Sequence, residues 1–242
     1  MNKKNSPGEA PTGHHYKYYD FIMVAFVTLL ILSNLVGAGK VAVLNLPFFG
    51  NFEFGAGVLF FPLSYVIGDV LTEVYGYARA RRVVWAGFVA MVFMSVATTI
   101  IVELPPAVWW GGQEAYTRVF GQTWRIVAAS MVAFWAGEFA NAYVMAKMKI
   151  ASMGQHLWQR TIGSTIVGQG FDSLLFYPLA FWGIWPDEQV LFVLTTNFLI
   201  KVVWEALLTP VTYKTVSWLK YKEEVDHYDD DTNFTPFKLR AD

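Results

Sequence analysis

FIMVAFVTLLILSNLVGAG, Phe21–Gly39, carries no charged residue. As a helix rising about 1.5 Å per residue it would reach roughly 28 Å, close to the ~30 Å hydrocarbon core of a bilayer. The stretch follows about twenty mostly polar residues and is itself followed by five comparable ones, so it reads as a first membrane span and not as a cleaved signal peptide. Working outward, the other spans are Gly55–Tyr77, Val83–Val102, Ile126–Ala146, Ile162–Ile184 and Val190–Tyr213. The expected fold class is therefore all-α integral membrane, a single bundle of six transmembrane helices within residues 18–221. Residues 1–17 and the acidic 222–242 are polar, lack apolar periodicity and are expected to form disordered tails.

Composition agrees. The 242 residues are 55% hydrophobic, 17% aromatic and only 15% charged, with a mean hydropathy of +0.37. A soluble domain averages about 25% charged residues, so this chain is short of polar surface. A net charge of −1 excludes the basic face that nucleic-acid binding needs. Zero cysteines removes disulfides and thiolate chemistry, and no cofactor or metal is expected.

Basic residues set the orientation. Fourteen of the eighteen Lys and Arg fall on one side of the expected spans: the two tails, the cluster Arg79, Arg81 and Arg82, and the loop carrying Lys147, Lys149 and Arg160. Lys40, Arg118 and Arg125 fall on the other, and Lys201 lies inside a span. The positive-inside rule places both termini in the cytoplasm. On the outer side, residues 40–54 suggest a short hairpin. The Pro-, Trp- and Gly-rich 103–122 loop offers Trp109 and Trp110 as interfacial anchors.

Six ionisable residues lie within spans: Asp69, Glu73, Glu138, Asp172, Lys201 and Glu205. Each costs on the order of 3 kcal/mol to insert and is by default a functional candidate. Asn141 follows Glu138 by three residues, Gln169 precedes Asp172 by three, and Asn197, Lys201 and Glu205 are four apart, so each set shares one helix face. These stripes should face one another across a layer near the midplane, where secondary transporters bind substrate. The expected substrate site is Asp69, Glu138, Asn141, Gln169, Asp172, Asn197, Lys201 and Glu205. Tyr65, Glu73, Phe176 and Trp204 form a second tier, the aromatics as stacking surfaces. Two plainer roles compete. Glu73 would pair with Arg79, Arg81 and Arg82 at the cytoplasmic edge, and Lys201 would be a structural counter-ion for Asp69 or Asp172. Five acids against one lysine nevertheless leave acceptors in excess, which suits a ligand rich in N–H groups.

Enzyme readings fail on spacing. The four histidines, His14, His15, His156 and His227, lie in tails or a loop, so no span offers a zinc-protease helix or a Ser–His pair. Tyr19-Asp20 and Gly68-Asp69 echo intramembrane aspartyl proteases, but Val66 replaces the first glycine of that motif and the two carboxylates would sit at different depths.

Three segments, FPLSYVIGDVLTEVYGYARARRVVW (Phe61–Trp85), GQGFDSLLFYPLAFWG (Gly168–Gly183) and NFLIKVVWEALLTPVTY (Asn197–Tyr213), resemble the bacterial queuosine precursor transporter family, within the wider vitamin uptake transporter group. The resemblance implies a multi-pass inner-membrane protein, similar to vitamin-uptake S-components, that imports 7-cyano-7-deazaguanine or its 7-aminomethyl relative. The family's Asp and Arg-Arg positions fall on Asp69, Arg81 and Arg82, its fifth-span Asp on Asp172 and its sixth-span Lys on Lys201; Glu73, Gln169 and Glu205 fit the same segments. A deazaguanine presents a ring N–H and an exocyclic amine that a carboxylate or amide accepts, and a carbonyl that Lys201, Asn197 or Gln169 could serve. Another vitamin or nucleobase remains the alternative substrate, and a homodimer, a partner ATPase and the energy source are left open.

Overall fold

The computed structural model describes residues 16–37, 41–46, 50–121, 124–230 and 232–238. Helix α1 spans Tyr19–Leu32 and passes into a π-helical turn, Ser33–Gly37, where the Ser33 hydroxyl donates to the Leu29 carbonyl. Strands β1 (Val41–Leu46) and β2 (Gly50–Gly55) pair antiparallel, Val41 opposite Gly55 and Leu46 opposite Gly50, which is the hairpin expected around 40–54. A 3₁₀ turn then leads into α2, Phe61–Tyr75. Helix α3 is Tyr77–Glu103, α4 Gln113–Phe120, α5 Trp124–Ala151, α6 Leu157–Phe181 and α7 Asp187–Glu223. The chain is a predominantly helical membrane protein.

Among the described residues three helices are long and apolar enough to cross a bilayer by themselves: Tyr19–Val36, Tyr77–Glu103 and Asp187–Glu223. Their outward faces suit lipid, with Phe93 74% and Phe192 70% exposed. Helices α2, α5 and α6 lie where the remaining spans were expected, and their lower hydropathy reflects the polar residues they bury: Asp69, Glu138, Asn141, Gln169 and Ser173.

Two expectations are corrected here. No loop separates the second and third apolar stretches. Helix α2 stops at Tyr75 and α3 starts at Tyr77, with Gly76 alone between them (φ 83°, ψ 165°). A side chain there would be strained by the positive φ, and its Cβ would lie 2.0 Å from the His227 ring.

The expectation of a disordered C-terminal tail is also wrong over the residues described. Glu223, the last residue of α7, accepts the backbone N–H of Lys17 (2.9 Å) and of Tyr18 (2.8 Å) at the start of α1. Asp229 accepts the N–H of Tyr77 at 3.0 and 3.1 Å, capping α3 from a residue far along the chain. Neither helix has a side-chain cap from its own N-cap residue. Distant carboxylates therefore satisfy donors that a helix N-terminus leaves open, where its dipole favours negative charge. Composition marked the tail as unable to bury apolar surface. Its order comes instead from these charged caps and from Phe234, which packs on Tyr77 (ring centroids 5.1 Å) under the Lys147 ammonium (3.9 Å). Residues 224–230 and 232–238 thus form a strap across one end of the helices. The N-terminal residues 1–15, also expected to be disordered, lie outside the described residues.

Candidate functional site

Helices α5 and α6 pack closely against each other, and two glycines allow it. A Cβ on Gly168 would lie 2.7 Å from Asn141 Cβ and 2.9 Å from the Gly137 carbonyl; one on Gly137 would lie 2.9 Å from the Gly168 carbonyl. Close backbone approach through small residues is a common basis of helix association in membranes. It sets Glu138 and Asn141 of α5 against Gln169 and Asp172 of α6.

Helix α2 completes the layer from one side. Asp69, fully buried, accepts a hydrogen bond from Asn141 Nδ2 at 2.7 Å. Glu138 Oε2 would stand 3.2 Å from a Cβ on Gly68, so that glycine admits the carboxylate beside α2. Tyr65, 2% exposed, places its hydroxyl beside Gln169, near the carboxylates of Asp172 and Glu138. From α7, Lys201 pairs with Asp172 at 2.6 Å, and Glu205 lies near Asp69 and Glu138.

Most of this layer is unsatisfied. Asp69 Oδ2, Glu138 Oε1, Asn141 Oδ1, Gln169 Oε1 and both oxygens of Glu205 are buried and lack a hydrogen-bond partner among the described residues. So do the Thr165 and Ser173 hydroxyls of α6 and the Trp204 indole N–H. Buried polar groups in folded proteins are normally paired. A concentration of open acceptors, with a few hydroxyl and N–H donors, is the arrangement a polar ligand would complete.

The structure brings Asp69, Glu138, Asn141, Gln169, Asp172, Lys201 and Glu205 together, with Tyr65 beside them. Three other expected residues have contacts of their own. Asn197 donates to the Val193 carbonyl of its own helix (3.0 Å). Phe176 stacks edge-on against Tyr177 and Phe181. Glu73 belongs to a separate charged cluster.

Nor does Glu73 pair with Arg79, Arg81 and Arg82. Its carboxylate, 0% exposed, accepts from Arg160 Nη2 (2.9 Å) and Nε (3.1 Å) and from Lys220 Nζ (2.7 Å), with Lys149 Nζ at 3.5 Å. Asp226 of the strap closes the cluster, 2.7 Å from both lysines. Burial draws the Lys149 ammonium below its usual value against the attraction of Glu73. Burial pushes the Asp226 carboxyl up, but hydrogen bonds from Lys149 and Lys220 outweigh it and leave the group below the usual carboxylate range. The arginines of α3 have other partners, and Arg81 is itself buried under the strap. Arg79 lies over the Tyr16 ring at 4.4 Å, Arg81 donates to the carbonyls of Asn233 (2.7 Å) and Thr235 (2.6 Å), and Arg82 is exposed.

Sequence reasoning missed Thr165 and Ser173, although Thr165-Gln169-Ser173 repeats the four-residue spacing that identified the other stripes. It also missed Arg160 and Lys149 as buried partners, having counted both only as cytoplasmic charges.

Comparison with known proteins bears on what this layer serves. Residues 55–215, which include every member of it, match the family described as "Putative vitamin uptake transporter". The chain belongs to this family. It is similar to the "Probable queuosine precursor transporter" of Bacillus subtilis (strain 168), 31% identical over 195 residues, covering 80% of this chain and 81% of the relative. It is also similar to the "Queuosine precursor transporter" of Escherichia coli (strain K12), 23% identical over 168 residues, covering 69% of this chain and 70% of the relative. No solved structure matches it significantly. As a member of the vitamin uptake transporter family the chain is a multi-pass membrane transporter and not an enzyme.

Proposed function

We propose that this transporter imports queuosine precursors, 7-cyano-7-deazaguanine or 7-aminomethyl-7-deazaguanine, across the bacterial inner membrane. In this reading six helices, α1, α2, α3, α5, α6 and α7, span the bilayer, and the strap and both tails face the cytoplasm. The relatives' names give the substrate class. The observation that carries the reading is the buried layer of open acceptors between α2, α5, α6 and α7, shared by Asp69, Glu138, Asn141 and Gln169.

A deazaguanine would satisfy that layer. Its ring N–H and exocyclic amine would donate to a carboxylate or amide oxygen, and Lys201, already oriented by Asp172, would approach its carbonyl. Tyr65 and Trp204 border the layer and would pack on its flat face. Such a site would reject analogues lacking these groups, because buried acceptors would then stay unpaired.

The test is uptake of labelled 7-cyano-7-deazaguanine by cells unable to synthesise it, with and without this protein. Accumulation only in expressing cells is expected. No accumulation with a well-expressed, membrane-inserted protein would overturn the reading.

A further inference from the structure

Among the described residues three buried carboxyls, Asp69, Glu138 and Glu205, have no cation, and Glu205 alone of these has both oxygens buried without a partner. Lys201 is held by Asp172 at 2.6 Å. Arg160, Lys149 and Lys220 converge on Glu73. Asp69 has the Asn141 amide at 2.7 Å. Glu205, 1% exposed, has no hydrogen-bond partner on either oxygen among the described residues.

What faces Glu205 makes a negative charge there worse. Asp69 on α2 and Glu138 on α5 are close enough to interact with it electrostatically, and Asp172 on α6 acts on Glu138 in turn. Glu73 lies one turn beyond Asp69 on α2, its charge held by its own cations. The nearest cation along α7, Lys201, is one turn away and committed to Asp172. An ionised carboxylate buried in such a place, with no donor or counter-ion on it among the described residues, is costly, and the proton is the simplest species that relieves it. A divalent cation is a poor fit, since no three His, Asp or Glu among the described residues converge as ligands.

We propose that Glu205 binds a proton at neutral pH and carries it with each substrate, making import proton-coupled. This rests on the import reading above. With the layer open to the outer side, Glu205 takes a proton from water and an O–H bond forms on its carboxylate. The neutral acid then adds a donor to a layer otherwise rich in acceptors. Opening toward the cytoplasm hydrates the carboxyl. The O–H bond breaks, the proton leaves to cytoplasmic water, and the restored charge, beside Asp69 and Glu138, favours return of the empty carrier.

The experiment uses the full-length protein in proteoliposomes containing a pH-sensitive dye, with the membrane potential clamped at zero and labelled 7-cyano-7-deazaguanine outside. Wild type is expected to move protons inward with substrate. At one proton per substrate, an inward gradient of one pH unit sustains about tenfold accumulation, the ratio equivalent to 1.36 kcal/mol. E205Q is expected to lower the protons moved per substrate toward zero. Wild-type uptake without proton movement, or an unchanged ratio in E205Q, would overturn the proposal. Gradient-free exchange by wild type reports separately on the import reading. If E205Q moves no substrate, infrared spectra at pH 7 decide. Loss of a protonated-carboxyl band in E205Q supports the assignment, and a band identical to wild type overturns it.

Discussion

Glu73 holds together the end of the protein where the strap docks, and its replacement measures how much that arrangement contributes. Glu73→Gln keeps the side-chain shape but removes the charge facing Arg160, Lys149 and Lys220. Arg160 and Lys149 have side chains only 2% exposed and cannot reach water, whereas Lys220, at 23%, can swing outward. Only Asp226, whose side chain is 46% exposed, would remain to offset them. Breaking a buried ion pair from one side costs about 3–5 kcal/mol. With Lys220 able to escape, the lower end, about 3 kcal/mol, is expected. For a chain of this size each kcal/mol lowers the melting temperature by roughly 2–4 °C, so E73Q should melt about 6–12 °C below wild type. The ten tryptophans supply an intrinsic fluorescence signal for the melt in detergent. A double variant, E73Q with Arg160→Gln, removes the stranded guanidinium and should recover part of the loss. A melt within about 2 °C of wild type, or a double variant no better than the single, would refute the claim that this cluster is tightly coupled and desolvated.

Three further outcomes are expected. Asp172→Asn should weaken substrate binding tenfold or more, about 1.5–3 kcal/mol for a charged hydrogen-bond partner; if the double variant D172N/K201M restores transport, the pair only holds helices together. The strap should loosen in acid. Burial holds His227 below its usual value, so the undocked strap binds more protons as pH falls below about 6.5. Docking is then fully favourable above that pH and lost on acidification, and the lowered Asp226 carboxyl pulls the same way in the carboxylate range. Proteolysis within 224–238, followed by mass spectrometry, should accelerate from roughly pH 7.5 to 5.5, and a pH-independent rate would refute this. A reporter fused after Asp242 should behave as cytosolic and one inserted in 109–121 as external; the reverse would refute the orientation proposed above.

Sequence alone determined that the chain lives in a membrane, roughly where its helices run, and which faces are polar. Hydropathy is a sum over neighbouring residues, and a helix turns about 100° per residue, so both are local properties. For the same reason Asp69, Glu138, Gln169, Asp172, Lys201 and Glu205 could be picked out as residues that must face inward. Tertiary structure decided which of them meet. Glu73 and Arg79 are six residues apart, yet Gly76 ends one helix and redirects the next, so the arginines of α3 take other partners and Glu73 finds Arg160, 87 residues distant. The C-terminal residues likewise show no apolar periodicity, and among the described residues there only Val225, Phe234 and Phe237 find apolar partners. They are held in place in part because the open N–H groups of Lys17, Tyr18 and Tyr77 stand at the end of the protein where α7 delivers Glu223 and the strap beyond it delivers Asp229. Pairing between charges and hydrogen-bonding groups depends on separation in space and on the water excluded between them, and neither can be read from separation along the chain.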